Sequence, residues 1–394
     1  MEDSNLFLEK WSLDRNVAFL NHGSFGACPK EVLAYQTELR ARLESQPVQF
    51  FVRDLEQLLD TARESLARFL GGDPAGLAWV PNATTAVNAV VRSLDLRPGD
   101  ELLTTDHEYN ACRNVLDFVA QRSGATVVVA SIPFPVHTST EITDAILEHV
   151  TPRTRLALLD HVTSQTALVL PISKLVSALK ERGVDTLVDG AHAPGMLDVD
   201  LDAIGAAYYT GNCHKWLCAP KGAGFLYVDA DHREATRPAV ISHGANSLRT
   251  DRSRFLTEFD WVGTTDPTAI LAVPEAIRFM AALLPGGWPE LRQRNRSLTL
   301  QARSILCEAL AIEPPCPDEM IGSLASFPLE DGDGRPSSSP LYADPLQDEL
   351  LDDYGIEVPV IPWPAPPRRL IRISAQIYND ESQYRRLGDA LRDL

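Results

Sequence analysis

Between about residue 76 and residue 228 the chain alternates short apolar runs with stretches of helical spacing, and this alternation restricts the fold more than any other feature. The apolar runs fall at 77–80, 101–104, 126–129, 155–159, 186–188 and 223–228. Helical length and spacing follow Thr84, Tyr109, Glu141 and Pro171, and a proline sits well at a helix start. Strands that alternate with helices predict an α/β fold: a mainly parallel sheet with helices on both faces, three layers in all.

Two amphipathic helices are predicted ahead of the first strand, at 31–43 and 52–70, the second stopping at Gly71-Gly72. A helical region after Asp266-Pro267 runs to about Leu310, and shorter strands separated by Gly, Pro and Ser follow, among them Asp331-Gly332-Asp333-Gly334-Arg335-Pro336. The expected organisation is a large domain at 16–265 and a smaller α+β C-terminal domain at 266–394 that takes in part of 1–15. The Pro-rich stretch 362–367 reads as a stiff loop feeding the strand that carries Arg372.

Composition narrows the partners. A net charge of −18 repels phosphate backbones, and the short Arg368-Arg369-Leu370-Ile371-Arg372 stretch does not offset it, so nucleic acid is not expected. No run approaches the roughly 18 apolar residues that cross a bilayer, and Met1-Glu2-Asp3-Ser4-Asn5 has no secretory character, so a cytoplasmic enzyme is expected. The six cysteines are scattered, and Cys213/Cys218 lack the second pair that would complete a zinc site; reduced thiols and no metal are expected.

The strongest local signal is Val188-Asp189-Gly190-Ala191-His192, followed by Thr210-Gly211-Asn212-Cys213-His214-Lys215-Trp216. A carboxylate leaving a buried strand needs a cationic partner, because burying it alone costs several kcal/mol or neutralises it. A lysine among small residues is partly desolvated, which keeps its amine nucleophilic. An ordinary salt bridge between the two is the alternative reading. Pro81-Asn82-Ala83-Thr84-Thr85 sits where a strand gives way to a helix, so it is either a good N-cap or an anion cradle.

Asp189-x-x-His192, Asn212-Cys213-His214-Lys215-Trp216 and Pro220-Lys221-Gly222-Ala223-Gly224 together resemble the lysine region of class V aminotransferase-fold enzymes, which are pyridoxal 5′-phosphate (PLP) enzymes of fold type I. Leu20-Asn21-His22-Gly23-Ser24-Phe25-Gly26, Asp106-His107-Glu108-Tyr109-Asn110-Ala111 and His161-Val162-Thr163-Ser164-Gln165-Thr166-Ala167 are similar to the isopenicillin N epimerase-like branch, related to cysteine desulfurases and C–S lyases. The likeness runs from about residue 16 to 380.

The resemblance implies PLP as cofactor, an amino acid as substrate, and Lys215 as the catalytic residue that joins the cofactor covalently. It implies that Asp189 pairs with the pyridinium nitrogen and that His192 hydrogen-bonds the phenolic oxygen. The phosphate falls to the Ala83 amide, Thr84, Asn212 and His214. Tyr109 stacks on the ring, and Arg372 receives the substrate carboxylate. Ser164 and Gln165 stand where desulfurases show an asparagine. Thr264, in Gly263-Thr264-Thr265, reaches the phosphate of a neighbouring subunit, which implies a homodimer with a shared site. His22 is expected at the substrate, where it or Tyr109 supplies an acid on the face opposite Lys215. In isolation each residue has a plainer reading: a structural histidine, a packing tyrosine, a surface arginine.

PLP chemistry begins with loss of the Cα proton to Lys215, and epimerisation, β-elimination and transamination all branch from there. A persulfide-forming desulfurase is disfavoured. No cysteine lies between Gly322 and Leu394, and Cys316 is outside the family's nucleophile motif. A PLP-fold regulator would need a DNA-binding domain in addition to the region of likeness. A nicotinamide-dependent dehydrogenase is disfavoured too, because Gly222-Ala223-Gly224 lacks a third glycine and leads into a strand.

Overall fold

The computed structural model describes residues 6–334, 341 and 344–394. The residues read above as a non-secretory start, 1–5, and the Arg335-Pro336 end of the turn lie outside it.

Seven strands form the main sheet: β2 (Leu77–Val80), β3 (Glu101–Thr105), β4 (Thr126–Ala130), β5 (Thr154–Asp160), β6 (Asp185–Asp189), β7 (Tyr208–Asn212) and β8 (Gly224–Val228). They follow β1 (Ala18–Phe19) in the chain and lie in the order β2-β8-β7-β6-β5-β3-β4. All neighbouring pairs are parallel except those made by β8, which runs antiparallel to both β2 and β7. Helices α1 (Lys30–Ser45), α2 (Leu55–Leu70), α3 (Ala83–Ser93), α4 (Asn110–Ser123), α5 (Ser139–Leu147) and α6 (Ile172–Lys180) match the sequence expectations closely.

The alternation of side chains along each strand divides the interior in two. Ala78, Val80, Leu102, Leu156, Leu158 and Leu187 pack with α3 and α4, whereas Leu77, Trp79, Leu103, Ala157, Leu159 and Val188 pack with α2, α5 and α6. A sheet buried on both faces between helix layers is the α/β/α fold expected.

One central strand has no counterpart in the sequence reading. Tyr208-Tyr209-Thr210-Gly211-Asn212 contains Gly and Asn, which strands disfavour, yet it is β7 and is wholly buried. Its glycine is dictated by packing: a Cβ at Gly211 would lie 2.6 Å from the Phe225 ring.

Beyond the sheet, α7 (Val273–Ala281) and α8 (Gly287–Leu310) lead to β9 (Leu324–Pro328). A two-residue strand β10 (Ile356–Glu357) pairs in parallel with β1. Strands β11 (Val360–Pro362) and β12 (Arg369–Ser374) complete an antiparallel sheet in the order β11-β12-β9, and α9 (Glu381–Asp393) ends the chain with a capping box at Asp380. The N-terminal segment is stitched to this second sheet: Ser374 N–H donates to Leu20 O at 2.8 Å, and Gly23 N–H to Ser374 Oγ at 3.0 Å. Among the described residues no helix is long and apolar enough to cross a membrane.

Candidate active site

The carboxyl ends of β3, β5, β6 and β7 open on one edge of the sheet, the usual side for ligands in parallel α/β folds. Lys215 stands in the turn after β7, half-buried, with Nζ 3.1 Å from His192 Nε2. On the other side of the imidazole, Trp216 Nε1–H donates to His192 Nδ1 at 3.4 Å. An indole nitrogen only donates, so Nδ1 is the acceptor and the proton of the neutral ring sits on Nε2, facing the lysine. Burial, then the positive charge of Lys215, holds the His192 pKa well below its usual value. Burial, followed by the charge of Arg372, lowers that of Lys215 to about 8. At pH 7 about a tenth of the amine is therefore uncharged, far more than for an ordinary lysine.

Asp189 ends β6 and is 3% exposed. Its carboxylate accepts from Ala191 N–H at 2.8 Å and from the Cys112 thiol at 3.3 Å, neither of them a cation, and burial raises its pKa. Asn212 ends β7, and its side-chain oxygen takes the Ala83 amide at 2.9 Å. Two of the expected phosphate donors are thus bonded to each other. Helix α3 is capped by Asn82, which accepts from Thr85 N–H, so Thr84 stands in an N-terminal first turn whose amides have no intrahelical acceptors. His214 Nδ1 is buried without a partner. Tyr109 is half-buried at the start of α4, with its amide donating to Glu108 Oε1 at 3.1 Å.

Arg372 approaches from the second sheet. It is 3% exposed, gives Nη1 to Ser164 O at 2.5 Å and Nη2 to Ser24 Oγ at 2.9 Å, and leaves Nε buried without a partner. Among the described residues no carboxylate pairs with it. Desolvation brings its pKa down to about 10. A buried guanidinium held by neutral serines is a site prepared for an anion that the protein does not itself supply. Gln165, the neighbour of Ser164, has a buried Oε1 without a partner.

Two expected residues stand elsewhere. His22 is fully buried, with Nε2 3.0 Å from the Lys215 carbonyl and Nδ1 2.7 Å from the Tyr378 hydroxyl. Both ring nitrogens are committed, and burial pushes its pKa down to about 3, so the structure places His22, expected at the substrate, behind the Lys215 turn and not in the group around the amine. It clamps the main chain of the catalytic turn instead. Replacing it with phenylalanine would strip the buried Tyr378 hydroxyl of this partner and leave the Lys215 carbonyl with the Cys218 amide alone. The expected cost is about 1–3 kcal/mol of stability, read by thermal or denaturant unfolding. Thr264 is exposed on the segment before Thr268, outside the group around Lys215.

The sequence reading assigned no role to Glu108 or Asp160, both buried beside Asp189. Their signal was present: Glu108 lies within a quoted motif, and Asp160 directly precedes another. Ser24 was likewise quoted but not placed at Arg372. All six cysteines are buried and free, and burial raises the Cys316 pKa to about 11. That is the opposite of the exposed, acidic thiol a sulfur carrier needs.

A lysine amine, a buried carboxylate and a helix start on one edge of such a sheet define a PLP enzyme of fold type I. Residues 27–359 match the aminotransferase class-V family, and the chain belongs to that family of PLP-dependent enzymes. It is 38% identical over 391 residues to isopenicillin N epimerase of Streptomyces clavuligerus, covering 96% of this chain and 95% of that one. It is 32% identical over 406 residues to a probable chloroplastic L-cysteine desulfhydrase of Arabidopsis thaliana, covering 97% and 83%. In structure it is similar to a lysine-to-alanine mutant of C-DES with glycine covalently linked to the PLP cofactor (TM-score 0.80, 24% identity, 98% and 99% covered), a likeness of fold. It is thus a PLP-dependent enzyme related to isopenicillin N epimerases and to cysteine desulfhydrases.

Proposed function

We propose that this enzyme removes the Cα proton of an amino acid on one face and delivers a different proton to the opposite face, an epimerisation of the isopenicillin N epimerase kind. The observation that carries the Cα-proton chemistry is the presence of a half-buried Lys215 amine of lowered pKa together with a buried Arg372 guanidinium that, among the described residues, has no carboxylate partner. The greater identity to the epimerase supports that outcome over β-elimination.

The residues present fit PLP. Asp189 offers a carboxylate that, among the described residues, no cation pairs with directly, matching a pyridinium nitrogen. In the first turn of α3 the Thr84 amide is left as a donor for a phosphate, the Ala83 and Thr85 amides being taken by Asn212 and Asn82. His192 Nε2–H and the Lys215 amine face the same space, where the phenolic oxygen and aldehyde carbon would lie. When bound, PLP supplies an electron sink for a pair of electrons left at Cα. Arg372, with Ser24 and Ser164 holding its two Nη groups, orients the substrate carboxylate. Lys215 Nζ takes the Cα proton. Tyr109 is the proposed source of the proton on the opposite face, since His22 is tied up behind the lysine.

A homodimer is part of the proposal. Val48 and Val52 are apolar and exposed, and a cavity of about 230 Å³ lined by Phe51 runs from Trp261 and Gly263 to Pro81, next to the start of α3. A second copy docked there would bring Thr264 towards the phosphate. Sedimentation should give twice the 43.3 kDa chain mass, and a monomer at assay concentration would remove this part.

The pKa of Lys215 sets a pH test. Only the uncharged amine captures an aldehyde, so capture of PLP by the ligand-free protein should quicken as pH rises and level off above about 8. A rise that continues towards 10.5, the ordinary lysine value, would contradict the enclosure described here. For the reaction, amino acids and cysteine conjugates are added in deuterium oxide, and Cα deuteration, pyruvate, ammonia and sulfide are assayed. Deuterium at Cα with inversion and no release supports epimerisation. Pyruvate release assigns a C–S β-lyase in its place.

A further inference from the structure

Three carboxyls are enclosed together at the site, and the reaction proposed above employs only one. Asp160 ends β5, Asp189 ends β6, and the two are directly paired in the parallel register, so their side chains leave the sheet on one face. Helix α4 covers that face through Cys112. Glu108 follows β3, and one oxygen each from Glu108 and Asp189 lies with Cys112 Sγ inside 4.8 Å. Exposures are 6, 3 and 3% for Glu108, Asp160 and Asp189.

The charges facing this group are few. Glu108 sees Asp189 and Arg113, with the Thr104 hydroxyl and Tyr109 amide on its oxygens; Arg113 is already engaged by Asp117. Asp160 sees Glu108, Asp189 and Lys215. Three anions in a dry space with one enclosed ammonium would repel strongly, so protons must be held there. Asp189 receives donors on both oxygens, as befits the ionised member. Asp160 Oδ2 is buried with no partner, a position that costs an ionised carboxylate more than a neutral acid. The Thr104 hydroxyl next to Glu108 accepts as readily as it donates. Burial and the neighbouring carboxyls raise the pKa of both flanking acids well above the ordinary range, in agreement with the geometry.

We infer that Glu108 and Asp160 are positioning residues for Asp189: they stand beside it as neutral acids, so that one negative charge is concentrated on the carboxylate facing the cofactor ring. This rests on the assignment of Asp189 to the ring nitrogen. The neutral flank excludes water from Asp189 without offering the ring a second, competing anion.

The test is infrared spectroscopy of the full-length protein at pH 7, with and without PLP, in water and deuterium oxide. Protonated buried carboxyls give C=O bands that shift on deuteration. Glu108→Gln should remove one band and Asp160→Asn another, whereas Asp189→Asn should remove neither. Absence of such bands from the wild-type protein overturns the inference whether or not a variant folds, as does a band lost with Asp189→Asn. In the loaded enzyme the pH midpoint of the visible band should be unchanged in Glu108→Gln, because a neutral group replaces a neutral group. A fall of about one pH unit or more would show a charge removed and also overturn it. Failure to bind PLP at all would leave the bands intact and count against the functional proposal alone.

Discussion

Replacing Lys215 with alanine is expected to lower turnover by about 10⁴-fold, the upper end of what a positioned general base contributes, and to abolish covalent capture of PLP. Two roles are lost at once in the proposed reaction, where the same amine anchors the cofactor and takes the Cα proton. The structure leaves no substitute: the nearby Lys221 donates its Nζ to the Gly26 carbonyl at 3.0 Å and is held in that contact. Folding should be preserved, since removing a buried amine also removes its desolvation cost. Thermal unfolding equal to or above wild type, with activity gone, is the expected pair of results. A small primary amine added to the variant should restore part of the proton transfer. Turnover within tenfold of wild type without added amine would exclude Lys215 as the base.

Changing Arg372 to leucine is expected to cost about 3 kcal/mol of transition-state stabilisation, on the order of 10²-fold in kcat/KM. The guanidinium is buried against Ser24 and Ser164, so a substrate carboxylate there makes a desolvated, charge-assisted contact that bulk water cannot replace. The loss should appear mostly in KM. It should vanish for an amine that lacks the carboxylate, because that compound never used the contact. Equal losses for the acid and the amine would place the arginine in a structural role instead.

The sheet was legible in the sequence because strands buried on both faces read as continuous apolar runs between turn residues, as at β2, β5 and β8. Strand β7 escaped, since Gly211 and Asn212 serve the packing against Phe225 and the contact with Ala83, and local propensity carries no trace of either. The motif around Lys215 was legible for a different reason: its residues lie within a few positions of one another and keep their spacing in any fold. His22 shows the limit of that reasoning. It sits in a quoted motif near the start of the chain, but whether an imidazole meets substrate or the back of a turn depends on Tyr378, more than 350 residues later.

By itself the sequence determined the α/β/α layering, the family and the cofactor, and singled out Lys215 as the candidate lysine, because periodicity and short-range spacing survive without coordinates. Only the tertiary structure decided which partners those side chains meet. It bonded Asn212 to the Ala83 amide, turned His22 to the Lys215 carbonyl, and left Arg372 enclosed without a carboxylate. It also set Asp160 and Glu108 against Asp189, through the register of β5 with β6 and the approach of β3. Charge state and hydrogen-bonding direction in such a site depend on burial and on neighbours distant in the chain, quantities that come into existence only when the strands assemble.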